Sequence, residues 1–269
     1  MTDPSLPSLP SLPALPSLPS LPPLPTIGPV SRRPPPGGAR RQWQTARVLE
    51  IRRETPRMIT LRLGLPAGSP PHVPGQHVTV RLTAPDGYTA SRSYSIASAP
   101  TDGRELELMV ERLEGGEVSG YLHDAVEVGD PLEVRGPFGG WFVWNGSAPA
   151  LLVGGGSGVV PLMSMLRHRR RAGLSVPLRL VVSVRSPEDL PFAGEYGGET
   201  TIAFTRRTPP DWARPPGRLV AADLQPLLIP DATAYVCGSA AFAEHASQLL
   251  VDLGVPAPSV RVERYGPTA

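Results

Sequence analysis

The chain has 269 residues, 26 cations against 24 anions for a formal net charge of +2, and one cysteine. That length holds two domains of ordinary size, and the near balance of charge gives no reason to expect nucleic acid or an anionic membrane as a partner. The lone Cys237 excludes an internal disulfide and any zinc or iron–sulfur centre ligated by cysteines of this chain.

Residues 1–41 stand apart in composition. A Ser-Leu-Pro repeat fills residues 5–24, and Pro34-Pro35-Pro36-Gly37-Gly38 follows. Such a run closes neither helix nor sheet hydrogen bonds, so a disordered, polyproline-type tail is expected. It carries no basic region followed by an apolar core, and no apolar run in the chain reaches ~18 residues, so neither a secretory signal nor a membrane span is expected. The expected setting is the cytoplasm.

From Gln42 the pattern becomes short alternating strands at 45–53, 58–65, 77–83, 91–97, 105–112 and 131–136, with a short helix at 121–126. Six strands between Gly/Pro-rich turns predict a small antiparallel barrel or sandwich, taken as domain 42–145. Past Pro149 the period changes. An apolar strand at 150–153 runs into Gly154-Gly155-Gly156-Ser157-Gly158 and a helix at 160–172; strands at 178–184, 201–205, 234–237 and 260–263 and a helix at 241–253 follow. Strands alternating with helices predict a parallel sheet covered on both faces, taken as domain 146–269.

Arg92-Ser93-Tyr94-Ser95, at the end of what reads as a buried strand, has the parts of a flavin seat. Arg92 offers a forked donor to a pyrophosphate, Tyr94 a rigid stacking face, and Ser95 a hydroxyl for a ring nitrogen. Strand alternation puts Arg92 and Tyr94 on one face and Ser95 on the other; the same run also fits a half-exposed hairpin strand. Gly115-Gly116-Glu117-Val118-Ser119 offers free N–H groups and a hydroxyl, either an anion cradle or a plain glycine hairpin.

The run Gly155-Gly156-Ser157-Gly158 lets backbone approach a ligand at a helix amino terminus, with Pro161 suited to the first helical turn. No lysine follows, which excludes a Walker loop, and Val159 stands where a hydrolase elbow needs glycine. Dinucleotide binding is the favoured reading over a tight turn. Arg185, Arg206 and Arg207 follow two strands of this half, at the sheet edge where ligands bind. They can hold a ribose 2′-phosphate, whereas Glu188 and Asp189 can accept from a free 2′-hydroxyl, so NADP(H) is favoured and NAD(H) stays open. Arg167-His168-Arg169-Arg170-Arg171 reads as a solvated helix end that complements the helix dipole. Cys237-Gly238 ends a strand at the same sheet edge, as a thiol beside a nicotinamide or as a small core residue. The five histidines are scattered, and no metal site is expected.

Taken in order, these motifs, with Gly136-Pro137-Phe138-Gly139-Gly140 and a terminal Glu263-Arg264-Tyr265-Gly266, resemble the ferredoxin–NADP reductase-like flavoproteins over about residues 42–268. The resemblance implies a six-stranded antiparallel Greek-key barrel carrying FAD, then a five-stranded parallel Rossmann-like domain carrying NAD(P)H. It implies Arg92 on the FAD pyrophosphate, Tyr94 on the isoalloxazine and Ser95 near flavin N5. Gly116, Val118 and Ser119 match a second flavin motif, and Gly155, Gly156, Ser157, Gly158 and Pro161 the nucleotide pyrophosphate loop. Cys237 and Gly238 match the segment beside the nicotinamide, and Glu263 and Tyr265 the tail that reaches the flavin. Ser95, Cys237 and Glu263 are the implied catalytic residues. Val160, and Pro267-Thr268-Ala269 after Tyr265, depart from the common pattern, and one cysteine cannot ligate a fused iron–sulfur cluster. The expected activity is hydride transfer from NAD(P)H to FAD and electron transfer to a separate ferredoxin, flavodoxin, oxygenase or other redox enzyme. The alternatives are a non-catalytic electron-transfer or docking subunit and a flavin-free nucleotide-binding module.

Overall fold

The computed structural model describes residues 42–265 apart from Asp102, so the expected proline-rich tail and Gly266 lie outside the described residues. Six antiparallel strands come first: β1 Gln44–Thr55, β2 Met58–Gly64, β3 His77–Thr83, β4 Thr89–Ser95, β5 Glu105–Glu111 and β6 Pro131–Phe138. Their order, β4-β3-β6-β1-β2-β5, is the expected Greek key, because β6 inserts between the β1–β2 and β3–β4 hairpins. The two end strands meet through an Ile96–Leu108 bridge. Alternation accounts for the core: Ile59, Leu61 and Leu63 of β2 and Leu106, Leu108 and Val110 of β5 all point inward and are buried. Helix α1, Glu117–Asp124, plugs this core with Val118 and Leu122. It starts four residues before the expected helix, directly after Gly116.

β4 is an edge strand and mostly exposed, which corrects the expectation of a buried strand. Its serines carry too little apolar surface to be drawn inside. Alternation still holds: Arg92 and Tyr94 pair with the core residues Val80 and Val78, while Ser93 and Ser95 pair with Thr79 and His77 on the outer face.

The second sheet is all parallel in the order β11-β10-β7-β8-β9, from β7 Ala150–Gly155, β8 Leu178–Val184, β9 Thr200–Phe204, β10 Thr233–Ser239 and β11 Val260–Tyr265. Ala150 and Leu152 of β7 face one core, which includes α2, Val160–Arg171; Leu151 and Val153 face the other, which includes α4, Ala240–Asp252. A short α3, Ala221–Leu224, lies against α4. A strand buried on both faces must be apolar throughout, as these residues are.

Both sheets belong to one compact unit. Met58, Ala97 and Met109 of the first half are buried in the same cluster as Met163, Leu166 and Cys237 of the second. Burying each methionine is worth roughly 1.5–3 kcal/mol. Polar contacts fix the orientation: Ser164 Oγ donates to Ser98 O at 2.7 Å, and Arg167 Nη1 donates to Ala97 O at 2.9 Å and Glu107 Oε2 at 2.7 Å. Arg167 also pairs with Glu195 and stacks on Phe192 at 4.8 Å. The expectation of a solvated helix end therefore fails at Arg167, whose side chain is only 15% exposed. Arg169 and Arg170 are likewise engaged, with Val176 O and Glu199.

Candidate active site

Two groups of expected site residues form separate constellations. The first lies where β4 and α1 meet. Arg92 is exposed, its Nη1 donating to Ser91 O at 2.7 Å, while burial pushes the Tyr94 phenol up to about 12 against the pull of Arg92. Tyr88, in the β3–β4 hairpin, donates to Glu117 Oε2 at 3.1 Å and so ties this edge to the first turn of α1. Ser119 is buried, donates weakly to Gly116 O at 3.4 Å and accepts from Leu113 N at 3.2 Å. A Cβ on Gly116 would lie 2.5 Å from Ser119 Oγ, so a side chain here would displace this hydroxyl.

The second constellation borders a cleft of about 590 Å³ at the carboxyl ends of the parallel strands. Gly155, Gly156, Arg185, Arg206 and Tyr265 line it, together with Arg57, Glu111, Arg218 and His245. Arg92, Tyr94 and Ser95 are outside this lining. Arg207 is too, and pairs with Glu188 at 2.6 Å on exposed surface. Pro161 is buried in the first turn of α2. Parallel register sets Cys237 beside Glu263 and Gly238 beside Arg264, and alternation turns Cys237, Glu263 and Tyr265 to one face. Ser157 and Gly158 fit tightly here: Ser157 Oγ donates to Glu111 Oε2 at 2.6 Å, and a Cβ on Gly158 would lie 2.3 Å from Cys237 O. Tyr265 is 36% exposed, yet its hydroxyl donates to Gly155 O at 2.6 Å.

Burial dominates the electrostatics. It raises the Cys237 thiol, with the Glu263 charge adding to the effect, and raises Tyr265 to about 12. Glu263 Oε2 is buried with no hydrogen-bond partner among the described residues, and burial lifts its carboxyl from 4.5 to about 7. The folded state thus binds a proton here that the unfolded state has released, and stability falls as pH rises from about 4.5 through 7. Glu263→Gln is expected to match the wild type near pH 4 and to exceed its stability by roughly 2–3 kcal/mol at pH 8, read from urea unfolding. A pH-independent difference would show that this carboxyl is not the titrating group.

Glu111, Arg57 and Arg218 were not legible as site residues. Glu111 ends a strand whose Met109 is buried in the core cluster common to both halves, and that shared face is the one available cue.

The glycine loop presents Gly155 and Gly156 to the cleft with Phe242 and Tyr265 packed beside them; backbone at a helix amino terminus fits an anionic pyrophosphate, and the exposed Arg92 beside Tyr94 fits a phosphate-bearing flat ring. Residues 46–143 match the oxidoreductase FAD-binding domain and residues 152–248 the oxidoreductase NAD-binding domain. The propane 2-monooxygenase reductase component of Rhodococcus jostii (strain RHA1) is 28% identical over 245 residues, 85% of this chain and 65% of the relative. The ferredoxin–NAD(P)+ reductase component of the naphthalene 1,2-dioxygenase/salicylate 5-hydroxylase systems of Ralstonia sp is 31% identical over 72% of this chain and 61% of the relative. The chain thus spans less than two thirds of these curated relatives. Among solved structures, the FAD/NAD-binding domain of nitric oxide dioxygenase from Vibrio cholerae aligns with a TM-score of 0.75 at 25% identity, over 83% of this chain and 99% of that one. Reductase components among the relatives disfavour both alternatives, the docking subunit and the flavin-free module.

Proposed function

This chain belongs to the ferredoxin–NADP reductase-like FAD- and NAD-binding oxidoreductases, and from that premise we propose that it is an NAD(P)H-dependent flavoprotein reductase, in which FAD, when bound, would supply hydride acceptance from NAD(P)H and onward electron transfer to a separate redox protein. The observation that carries this is the pairing of a glycine loop at a parallel-sheet edge with the Arg92–Tyr94 edge of an antiparallel barrel in one compact unit. A ferredoxin, flavodoxin or oxygenase component is the proposed acceptor, and the cytoplasm, where pyridine dinucleotides are recycled, is the proposed setting. The functional boundary is placed between residues 145 and 146.

Each residue has a definite task in this proposal. Arg92 holds the flavin pyrophosphate, Tyr94 supports the ring from one side, and Gly116, Val118 and Ser119 shape the loop beneath the phosphates. Gly155, Gly156, Ser157 and Gly158 receive the nucleotide pyrophosphate, with Pro161 starting the helix behind them. Arg185 and Arg206, joined by Arg218, border the end of the cleft suited to a 2′-phosphate, which supports NADP(H) over NAD(H). Arg207 is less available because Glu188 engages it. Cys237 and Gly238 shape the nicotinamide pocket, with Tyr265 over the glycine loop. Ser95 hydrogen-bonds at the reactive edge, and Glu263, titrating near 7, holds or yields a proton at its carboxyl oxygens.

The test is an anaerobic titration of the purified protein, adding NADPH and NADH in parallel and following the flavin band. Bleaching supports the assignment and the faster donor settles the nucleotide; a protein that binds no FAD ends it. Arg92→Ala is expected to leave folding within about 0.5 kcal/mol and to weaken FAD binding by about 1–3 kcal/mol, a roughly 5- to 150-fold higher Kd. Fluorescence titration of apoprotein with FAD measures the Kd, and urea unfolding measures the stability. An unchanged Kd would remove Arg92 from the pyrophosphate site.

A further inference from the structure

The barrel delivers a carboxylate to the glycine loop. Glu111, at the end of β5, accepts the Ser157 hydroxyl at 2.6 Å and lines the same cleft as Gly155 and Gly156. It shares its face of the strand with Met109, two residues earlier, which is buried in the core cluster common to both halves. Arg57 also lines the cleft, with Nη2 3.8 Å from Glu111 Oε1 and its side chain half exposed. The hydroxyl that would meet the dinucleotide is therefore already given to an anion of the protein itself.

Resting on the dinucleotide assignment, we propose that Glu111 is an affinity-determining residue: its carboxylate holds Ser157 in the free protein, and the nucleotide pyrophosphate replaces it there. A hydroxyl has one proton to donate, so Ser157 cannot serve both anions. Two anions within a few ångströms in a partly desolvated cleft also repel strongly. Arg57 is the counter-ion that receives Glu111 once Ser157 turns to the phosphate. The carboxylate keeps nucleotide affinity below what the loop alone provides, and it favours release of the oxidised product.

The experiment is calorimetric titration of the FAD-loaded protein with NADP+ and NAD+, which bind without being consumed. Glu111→Gln keeps the acceptor for Ser157 and removes the charge; it is expected to lower Kd for both nucleotides by about tenfold or more. The gap from wild type is expected to narrow as salt is raised from low ionic strength. Glu111→Ala, which removes the carboxylate without adding an amide, must move Kd in the same direction. Arg57→Ala is expected to raise Kd in the Glu111 background and to have a much smaller effect in Glu111→Gln. An equal or higher Kd in both Glu111 variants overturns the proposal while leaving the dinucleotide assignment intact. Failure of wild type and variants alike to bind either nucleotide overturns both.

Discussion

Gly158→Ala is expected to cost about 3 kcal/mol of stability or more and to lower Tm by roughly 6–12 °C. The added Cβ would lie 2.3 Å from Cys237 O, 2.5 Å from Cys237 C and 2.7 Å from Gly238 Cα. All three are backbone atoms of β10, which is held on both sides by β7 and β11 and has no room to retreat. The conflict is one of space, since Gly158 does not occupy the left-handed region. Gly140→Ala is the control: nothing lies within 4 Å of its Cβ position, so its effect should stay within about 0.5 kcal/mol. Urea unfolding of the two variants side by side is the measurement, and equal small effects would mean that the loop is not closed on β10.

Arg167→Met is expected to destabilise by about 3 kcal/mol. The substitution keeps most of the side-chain volume and removes a guanidinium that holds Ala97 O, Glu107 and Glu195 at once. Burial works against the charge, and the two carboxylates more than restore it, raising the Arg167 pKa. Without it Glu195 loses its bidentate partner, while Glu107 keeps only Arg52 at 3.5 Å. Adding Glu195→Gln to Arg167→Met should recover part of the loss, because one stranded charge disappears. Arg167→Lys should fall between, since an ammonium cannot span the same set of acceptors. Additive effects of the Arg167 and Glu195 changes would contradict this account. The contact matters beyond stability: Ala97 lies two residues after Ser95, and Arg167 lies on the helix that starts beyond the glycine loop. One side chain therefore ties the two halves of the proposed site together.

Patterns local in sequence were read well. The apolar run of β7, its glycine turn and α2 fix one another within about 25 residues, and the short strands of the barrel follow from alternation and turn residues. The Arg92–Tyr94 face was legible for the same reason. Edge position was not: β4 and a central polar strand look alike in sequence, and pairing order is set by contacts across the whole barrel. The burial of Arg167 is not legible locally: its helix-end setting is visible in the sequence, whereas Ala97 and Glu107 are 70 and 60 residues away. Glu111 was missed for a similar reason, its partner Ser157 being 46 residues on. Arg207, a cation at the expected strand end, pairs across exposed surface with its neighbour Glu188, a contact that strand spacing alone does not show. Spacing identifies residue types at a sheet edge, and side-chain pairing decides which of them remain available.

Cys237 is the only thiol in the chain and is 3% exposed, in the core cluster shared by both halves. It therefore serves as a built-in reporter of opening. A thiol reagent can react only in the small fraction of molecules that have exposed the sulfur, so when reclosing is fast the labelling rate scales with that population. Each tenfold slowing corresponds to ~1.4 kcal/mol against opening. Because every modification event falls on one site, intact-mass spectrometry turns a time course directly into an opening free energy for the core around Cys237, without introducing a probe.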